Sequence, residues 1–492
     1  MLHATTRDRS PLRPPYQRHR PEQTLLYQIV EQHYPEFRDV MAAQGKFLPI
    51  HVQQEFSEYL KCGRLEHGFL RVQCTECHHE HLVAFSCKKR GFCPSCGARR
   101  MAESAALLVD EVLPEHPIRQ WVLSFPFQLR FLFASRPELM GRVLAIVYRA
   151  IATHLINKAG FTRKTARTGA VTLIQRFGSA LNLNVHFHML FLDGVYAENK
   201  YSKTQFQQTI APNQQDLTDL VHAISHRVAG FLERQGILER DEENSYLNLE
   251  GEEDPMQQVL GCSVSYRIAI GPQQGRKVFT LQALPSWEED DRFAQVAKES
   301  GFSLHAGVAA QRWERQKLER LCRYVTRPAI SEKRLSMTSS GNIRYKLKTP
   351  YSDGTTHVIF EPLDFIGKLA ALVPKPRVNL TRFHGVFAPN SKHRSHVTPA
   401  RRGKGNPSQS QDDKTPEQRH KAMTWAQRLK RVFNIDVSIC PKCEGEAKVI
   451  ACIEDQQVID KILKHLQAKG ELPPQPDLLP ATRASPDVDW FA

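Results

Sequence analysis

The stretch "LNVHFHMLFLDG" spans residues 183–194. In it Val185, Phe187, Met189 and Phe191 alternate with His186, His188, Leu190 and Leu192. Successive side chains of a strand point to opposite faces, so the alternation predicts a strand over 183–192 with both histidines on one face, at one end. The other face is wholly apolar and needs a packing partner. Asp193-Gly194 then reads as a turn. Two imidazoles at adjacent positions of one face can converge on a single divalent ion. The same pair also reads, more plainly, as two strand histidines with ordinary partners.

Further strand-like runs surround this one: 119–127, 169–177, 263–270 and 277–284. Helical spacing marks 23–60, 99–114, 137–158, 215–238 and 315–330, with stops at Pro114 and Pro328. Long helices between some strands and short connections between others predict an α+β layer fold with a mostly antiparallel sheet. The expected divisions are a disordered basic arm (1–22), a helical and zinc-binding domain (23–114), a nuclease-like domain (115–387), a linker rich in basic and turn-forming residues (388–420) and a small Cys-containing unit (421–492).

The chain has 492 residues and a formal charge of +15, with 41% hydrophobic residues. That balance describes a folded basic protein and favours a polyanionic partner, most simply nucleic acid. The polar start, "MLHATTRDRSPLRPPYQRHRPEQ", lacks the apolar core of a signal peptide, and no long apolar run predicts a membrane span. A cytoplasmic setting is therefore expected, with reduced cysteines whose close pairs point to metal before disulfide.

Three C-x2-C pairs occur among eleven cysteines. Cys74-x2-Cys77 and Cys93-x2-Cys96 stand fifteen residues apart, a spacing suited to one four-thiolate zinc site. Such a site has no open position for water and is structural. Cys62, Cys87, His67, His78, His79 and His81 are surplus, available for a second site or for exchange with one ligand. The flanking "CKKRGFC" and "CGARR" are basic enough to grip DNA phosphates. Cys440-x2-Cys443 is a half-site, with Cys452 and His465 as the nearest further donors.

On the helix predicted over 315–330, Trp313, Leu318, Leu321, Cys322 and Val325 mark the apolar stripe, and Tyr324 lies beside it. Arg320 at i−4 and Arg327 at i+3 can flank the phenol and bind a phosphodiester. A tyrosine packed by its ring is the ordinary alternative.

Taken in order, "FCPSCGARR", "HFHMLFLDGVY", "LHAGV" and "LERLCRYVTRPAI" resemble the rolling-circle insertion-sequence transposases of the HUH single-strand endonuclease superfamily, in the branch with an N-terminal zinc-binding domain. The resemblance covers about residues 20–390, and "CPKCEGEAKVIACIED" extends it. It implies that His186 and His188 bind a catalytic Mg²⁺ or Mn²⁺, with Phe187 as the hydrophobic residue between them, and that Tyr324 is the nucleophile. Pro328 stands where a second tyrosine would be, so the single-tyrosine branch is implied. A third metal ligand is required; Gln175 and His305 are the options, His305 preferred. The implied activity is cleavage and rejoining of single-stranded DNA at element ends and target through a 5′-phosphotyrosyl bond. A replication initiator or relaxase of the same chemistry, or a non-enzymatic zinc-finger DNA-binding protein, are the rival expectations. No G-x-x-x-x-G-K-[ST] motif supports a helicase.

Overall fold

The run read at 183–192 is a strand with those bounds, Leu183–Leu192, at the centre of a six-stranded sheet. In a computed structural model residues 20–198, 204–240, 245–248, 255–286, 296–401 and 439–470 are described. The strand order is Val296–Glu299, Phe302–Ala310, Ile118–Ser124, Leu183–Leu192, Gly169–Phe177 and Thr381–Gly385, and every neighbouring pair is antiparallel. The fold is thus α+β with an antiparallel sheet at its core.

Both faces of the sheet are covered. The face of Val185, Phe187, Met189 and Phe191 is buried. Tyr148 of the helix Pro137–Lys158 stacks on Phe191, and Phe125 meets Phe187 edge-on with ring centres 4.9 Å apart. That helix is long and apolar enough by composition to cross a membrane, but its apolar positions are largely buried within the fold. On the other face Leu190, Leu192, Val171 and Leu173 pack with Leu318, Leu321, Cys322 and Val325 of the helix Arg315–Val325, and with Ala105, Leu108, Val109 and Val112. The histidine end of this second face is left for polar groups. The strand closes at Leu192 and the chain bends at Asp193, which is buried in a two-pronged pair with Arg119, at 2.9 and 2.8 Å, before the strand Gly194–Glu198 of another sheet.

Several sequence expectations are adjusted. The span 23–60 holds two helices, Leu25–Ala43 and Ile50–Lys61, broken where Gly45 takes φ +69° and Pro49 follows. The helix expected from residue 99 starts at Pro94, whose fixed φ suits a first turn, and ends in a π-helical turn at Leu108–Val112. The strand expected over 263–270 is the end of the helix Gln257–Val264 followed by Tyr266 at φ +57° and the buried run Ile268, Ala269, Ile270. A short apolar run carries no periodicity that separates strand from other buried chain. Trp313 lies ahead of the helix and is exposed rather than part of its stripe. The first part of the expected linker, 388–401, carries a short helix, Arg394–Val397, and buries Val397 in the core. Its remainder and the residues of the basic arm up to 19 lie outside the described residues.

The described chain falls into two compact units. The larger takes Gln23–Leu60 and the described part of Lys88–Asp436; the smaller takes Lys61–Cys87 and the described part of Val437–Ala492. In the smaller unit Ala447–Ile453 pairs with Phe69–Cys74, which pairs with Glu80–Ala84, all antiparallel. Ile459 and Leu463 of the helix Gln456–Ala468 pack against Leu65 and Phe69. The C-terminal segment therefore completes a sheet begun near residue 69, and the units cut across the divisions expected from sequence.

Candidate active site and metal centre

In the smaller unit two copies of one turn face each other. The Glu76 N–H donates to Cys74 Sγ at 3.4 Å, and the Lys442 N–H donates to Cys440 Sγ at 3.4 Å. Cys74 N–H reaches His79 O at 2.9 Å, and Cys440 N–H reaches Gly445 O at 2.8 Å. The residue after the second cysteine has positive φ in both, His78 at 56° and Glu444 at 62°. The sulfurs of Cys74, Cys77, Cys440 and Cys443 all lie within 4.8 Å of one another, with Cys74 3.4 Å from Cys443 and Cys77 3.6 Å from Cys440. Those separations exceed any disulfide bond. They approach the edge of roughly 3.8 Å expected of a tetrahedron with Zn–S bonds of about 2.3 Å. Backbone N–H groups of Cys77, then Glu76, draw the Cys74 thiol down to about 7 against burial, toward the thiolate a metal requires.

Hence Cys74 and Cys77 are completed by Cys440 and Cys443, not by Cys93 and Cys96 as their spacing suggested. The C-terminal half-site needs neither Cys452 nor His465; Cys452 is exposed, with its thiol toward Glu454. Cys93 and Cys96 are buried in the larger unit, at the start of the helix Pro94–Leu107. Cys62 and Cys87 belong to the smaller unit, where the Cys87 N–H donates to Cys62 Sγ at 3.3 Å.

In the larger unit His186 and His188 bring their Nε2 atoms to 3.1 Å. Two nitrogens about 2.1 Å from an octahedral ion would be separated by roughly 3.0 Å. His186 Nδ1 faces the Asn184 carbonyl at 2.8 Å. A carbonyl only accepts, so Nδ1 carries the proton and Nε2 keeps its lone pair. Nδ1 of His188 is 2.7 Å from Gln120 Nε2. Amide oxygen and nitrogen are interchangeable by a half-turn, and with the oxygen inward Gln120 frees His188 Nε2 as well. Burial, slightly opposed by the Asn184 bond, pulls His186 down to about 4, and burial followed by the neighbouring His186 pulls His188 well below its usual value. Both rings are neutral near pH 7, so protons do not compete for the lone pairs.

Tyr324 stands across from them. Its ring centre is 6.2 Å from that of His188, nearly perpendicular, and the residue is 40% exposed. The Arg327 guanidinium lies 4.2 Å from the Tyr324 ring centre and the Lys348 ammonium 4.3 Å. Arg327 also donates to the Tyr324 carbonyl at 2.9 Å. Arg320 is exposed, and the second cation over the ring is Lys348 instead. The helix ends at Val325, before Pro328, and Tyr324 is its one tyrosine.

The two options for a third ligand are placed differently. His305 pairs with Val122, which pairs with His188, so it lies on the right face but two strands away. Among the described residues no His, Cys, Asp or Glu joins His186 and His188 in a group with ligand atoms within 4.8 Å. Gln175 sits directly opposite His186 on the adjacent strand. Its Nε2 donates to the Val325 carbonyl at 2.6 Å, which fixes the amide orientation, and its Oε1 is buried without a partner among the described residues. Val325 is the residue after Tyr324, so this one amide ties the histidine strand's neighbour to the tyrosine helix.

A pocket of about 290 Å³ opens beside this bond. Lys89, Arg90, Arg100, Arg176 and Arg327 line it, and among the described residues no carboxylate does. Gly97 lets the helix Pro94–Leu107 approach the loop after Tyr324; a Cβ there would stand 2.6 Å from Pro328 Cβ. Lys89, Arg90 and Arg100 lie in the two basic flanks expected to grip phosphates, and Arg327 was expected beside the phenol; Arg176, Gln120 and Lys348 were not foreseen. Gln120 had one signal available, its place in the run 119–127 read as a strand; Lys348 had none.

Comparison with known proteins now adds identity to geometry. A family model described as "Putative transposase" matches residues 169–395, which include the histidine strand and the tyrosine helix. A second, described as "Transposase zinc-binding domain", matches residues 29–125. No curated protein and no solved structure matches the chain. The two family models lie in tandem over most of the described chain, and the protein belongs to the insertion-sequence transposases that carry an N-terminal zinc-binding domain.

Proposed function

We propose that this transposase cleaves and rejoins single-stranded DNA through a covalent bond to Tyr324, moving its element by a rolling-circle route. The observation that carries the reading is the meeting of two neutral imidazoles, with Nε2 atoms 3.1 Å apart, and a half-exposed tyrosine in one polar end of the sheet. The donor set is nitrogen and oxygen rather than sulfur, which suits exchangeable Mg²⁺ or Mn²⁺. His186, His188 and Gln175 would hold the ion, His305 being displaced from that role by its distance. When bound, such an ion supplies Lewis-acid polarisation of the scissile phosphate.

The chain's own groups do the rest. The Asn184 carbonyl holds the His186 proton at Nδ1, and Gln120, with its amide turned oxygen-inward, would do the same for His188. Arg327 and Lys348 lie over the phenol ring and offset the negative charge that gathers as the Tyr324 oxygen attacks phosphorus. The P–O3′ bond breaks as the Oη–P bond forms; the 3′-oxygen leaves with a proton, and the phenol proton passes to solvent. The product is a 5′-phosphotyrosyl link and a free 3′-hydroxyl, and a 3′-hydroxyl can later reverse the attack to rejoin strands. The tetrathiolate in the smaller unit is closed to water and acts as a structural zinc centre.

The test is incubation of the full chain with Mn²⁺ and labelled single-stranded DNA from the element ends, followed by denaturing electrophoresis. An SDS-resistant protein–DNA adduct is expected from the wild type and none from Tyr324→Phe. A gel shift without any adduct would favour the non-enzymatic reading.

A further inference from the structure

On the long helix Gln214–Arg234, His222 and His226 are one turn apart, so they share a face. Their ring centres are 4.3 Å apart. The face they share meets the edge strand Val296–Glu299, and His222 Nδ1 lies 2.7 Å from Glu299 Oε1. One ligand atom from each of His222, His226 and Glu299 falls within 4.8 Å of the other two. Neither the family likeness nor the proposed chemistry uses any of the three.

The elements that bring them together are held independently of the cluster. Asn213 and Asp216 form a reciprocal cap at the start of the helix, Lys158 pairs with Asp216, and Gln214 Nε2 donates to the Val296 carbonyl at 2.8 Å. The helix therefore meets the strand in a set register, and Glu299 arrives opposite the histidines at the strand's other end. The site is separate from the histidine pair of the active site. Glu299 pairs with Phe302 on the second strand of the sheet, whereas His186 sits on the fourth.

We infer that His222, His226 and Glu299 form a second, surface-accessible site for a borderline divalent ion of the zinc or nickel class, which clamps the helix Gln214–Arg234 to the sheet's edge strand. Two imidazoles and one carboxylate select such ions over Mg²⁺. Three protein ligands leave at least one position to water. An edge strand exposes unpaired backbone groups, and a metal clamp is one way of holding it in place. Ion entry displaces the proton shared between His222 Nδ1 and Glu299 Oε1, and all three ligands remain bonded to the chain throughout.

The experiment uses the full chain with its thiolate-held zinc intact, dialysed against low free Zn²⁺ and then assayed for total metal and for thermal midpoint. The wild type is expected to take up one equivalent more than His226→Ala or Glu299→Gln, and to gain thermal stability with zinc that these variants do not gain. Both variants change exposed or half-buried side chains, and equal metal-free melting curves check that they fold. The comparison is repeated in a His186→Ala/His188→Ala chain, so that the result stands or falls apart from the proposed active site. Equal zinc uptake by the wild type and His226→Ala in both backgrounds would overturn the inference.

Discussion

The tetrathiolate and the histidine pair are built on opposite principles. Four sulfurs from two like turns close around one point, with the members of each contacting pair 369 and 363 residues apart in the chain. The histidine pair comes from two positions of a single strand and leaves its site open toward a half-exposed tyrosine. Closure with soft ligands makes an ion part of the fold; openness with nitrogen and oxygen donors makes it exchangeable and available to substrate. On the proposed reading the two sites would spend an ion's energy differently, one on holding the chain together and the other on the charge of a phosphate.

That contrast can be broken most sharply at the active site. Tyr324→Phe, or the pair His186→Ala and His188→Ala, should lower cleavage of single-stranded ends by on the order of 10⁴-fold or more. Both chains should still fold, because the packing face of Val185, Phe187, Met189 and Phe191 is untouched; Tyr324→Phe should melt like the wild type, and the double-alanine chain should lose only about 1–3 kcal/mol with the buried His188–Gln120 bond. Cleavage assays beside calorimetry check this; a double-alanine chain that cuts at the wild-type rate would return the pair to ordinary strand histidines. Cys440→Ser should do the reverse. It should release zinc and melt the smaller unit, since such modules draw about 10 kcal/mol or more of folding energy from the metal. Metal analysis of the purified variant, with hydrogen exchange over residues 69–84, reads the effect. Retained zinc with unchanged protection would contradict the pairing with Cys74 and Cys77.

A smaller change separates the two candidates for a third ligand. Gln175→Ala should raise the Mn²⁺ concentration needed for half-maximal cleavage by about 10- to 100-fold, while His305→Ala should leave it unchanged. The opposite pattern would restore His305. The smallest effect is expected in the basic pocket. Lys89→Gln should lessen the salt dependence of oligothymidylate binding by roughly 0.7 in logarithmic slope, the amount of one lost phosphate contact. Lys298→Gln, on the opposite edge strand, should not; equal slopes in all three proteins would leave the pocket without a role in DNA binding.

The legible parts of the molecule are those whose signal is local. The strands at 169–177 and 183–192 have the bounds expected of them, the first from its apolar run and the second from its alternation, and the sheet buries both faces of each. The tyrosine helix stops short of Pro328 for the reason given by that residue's ring. What escaped the sequence is what folding brings from afar. Cys93 and Cys96 had the right spacing for Cys74 and Cys77, yet spacing cannot report that a segment past residue 437 adds a strand beside Phe69–Cys74 and carries the matching turn. Lys348 reaches Tyr324 from the bend just after the strand Ile343–Lys346 and takes the place of Arg320, which helical spacing had favoured. The proposal of Gln175 over His305 needed strand order, since register puts the first beside His186 and the second two strands away from His188.

The central claim is that Tyr324 carries the DNA. It is tested most directly by trimming the wild-type adduct with nuclease and locating the remaining nucleotide by peptide mass spectrometry. The expected result is a single modified peptide with the nucleotide on Tyr324. A nucleotide on Tyr345, which is fully buried, or on Tyr351, whose hydroxyl bonds Ser179, would contradict the assignment.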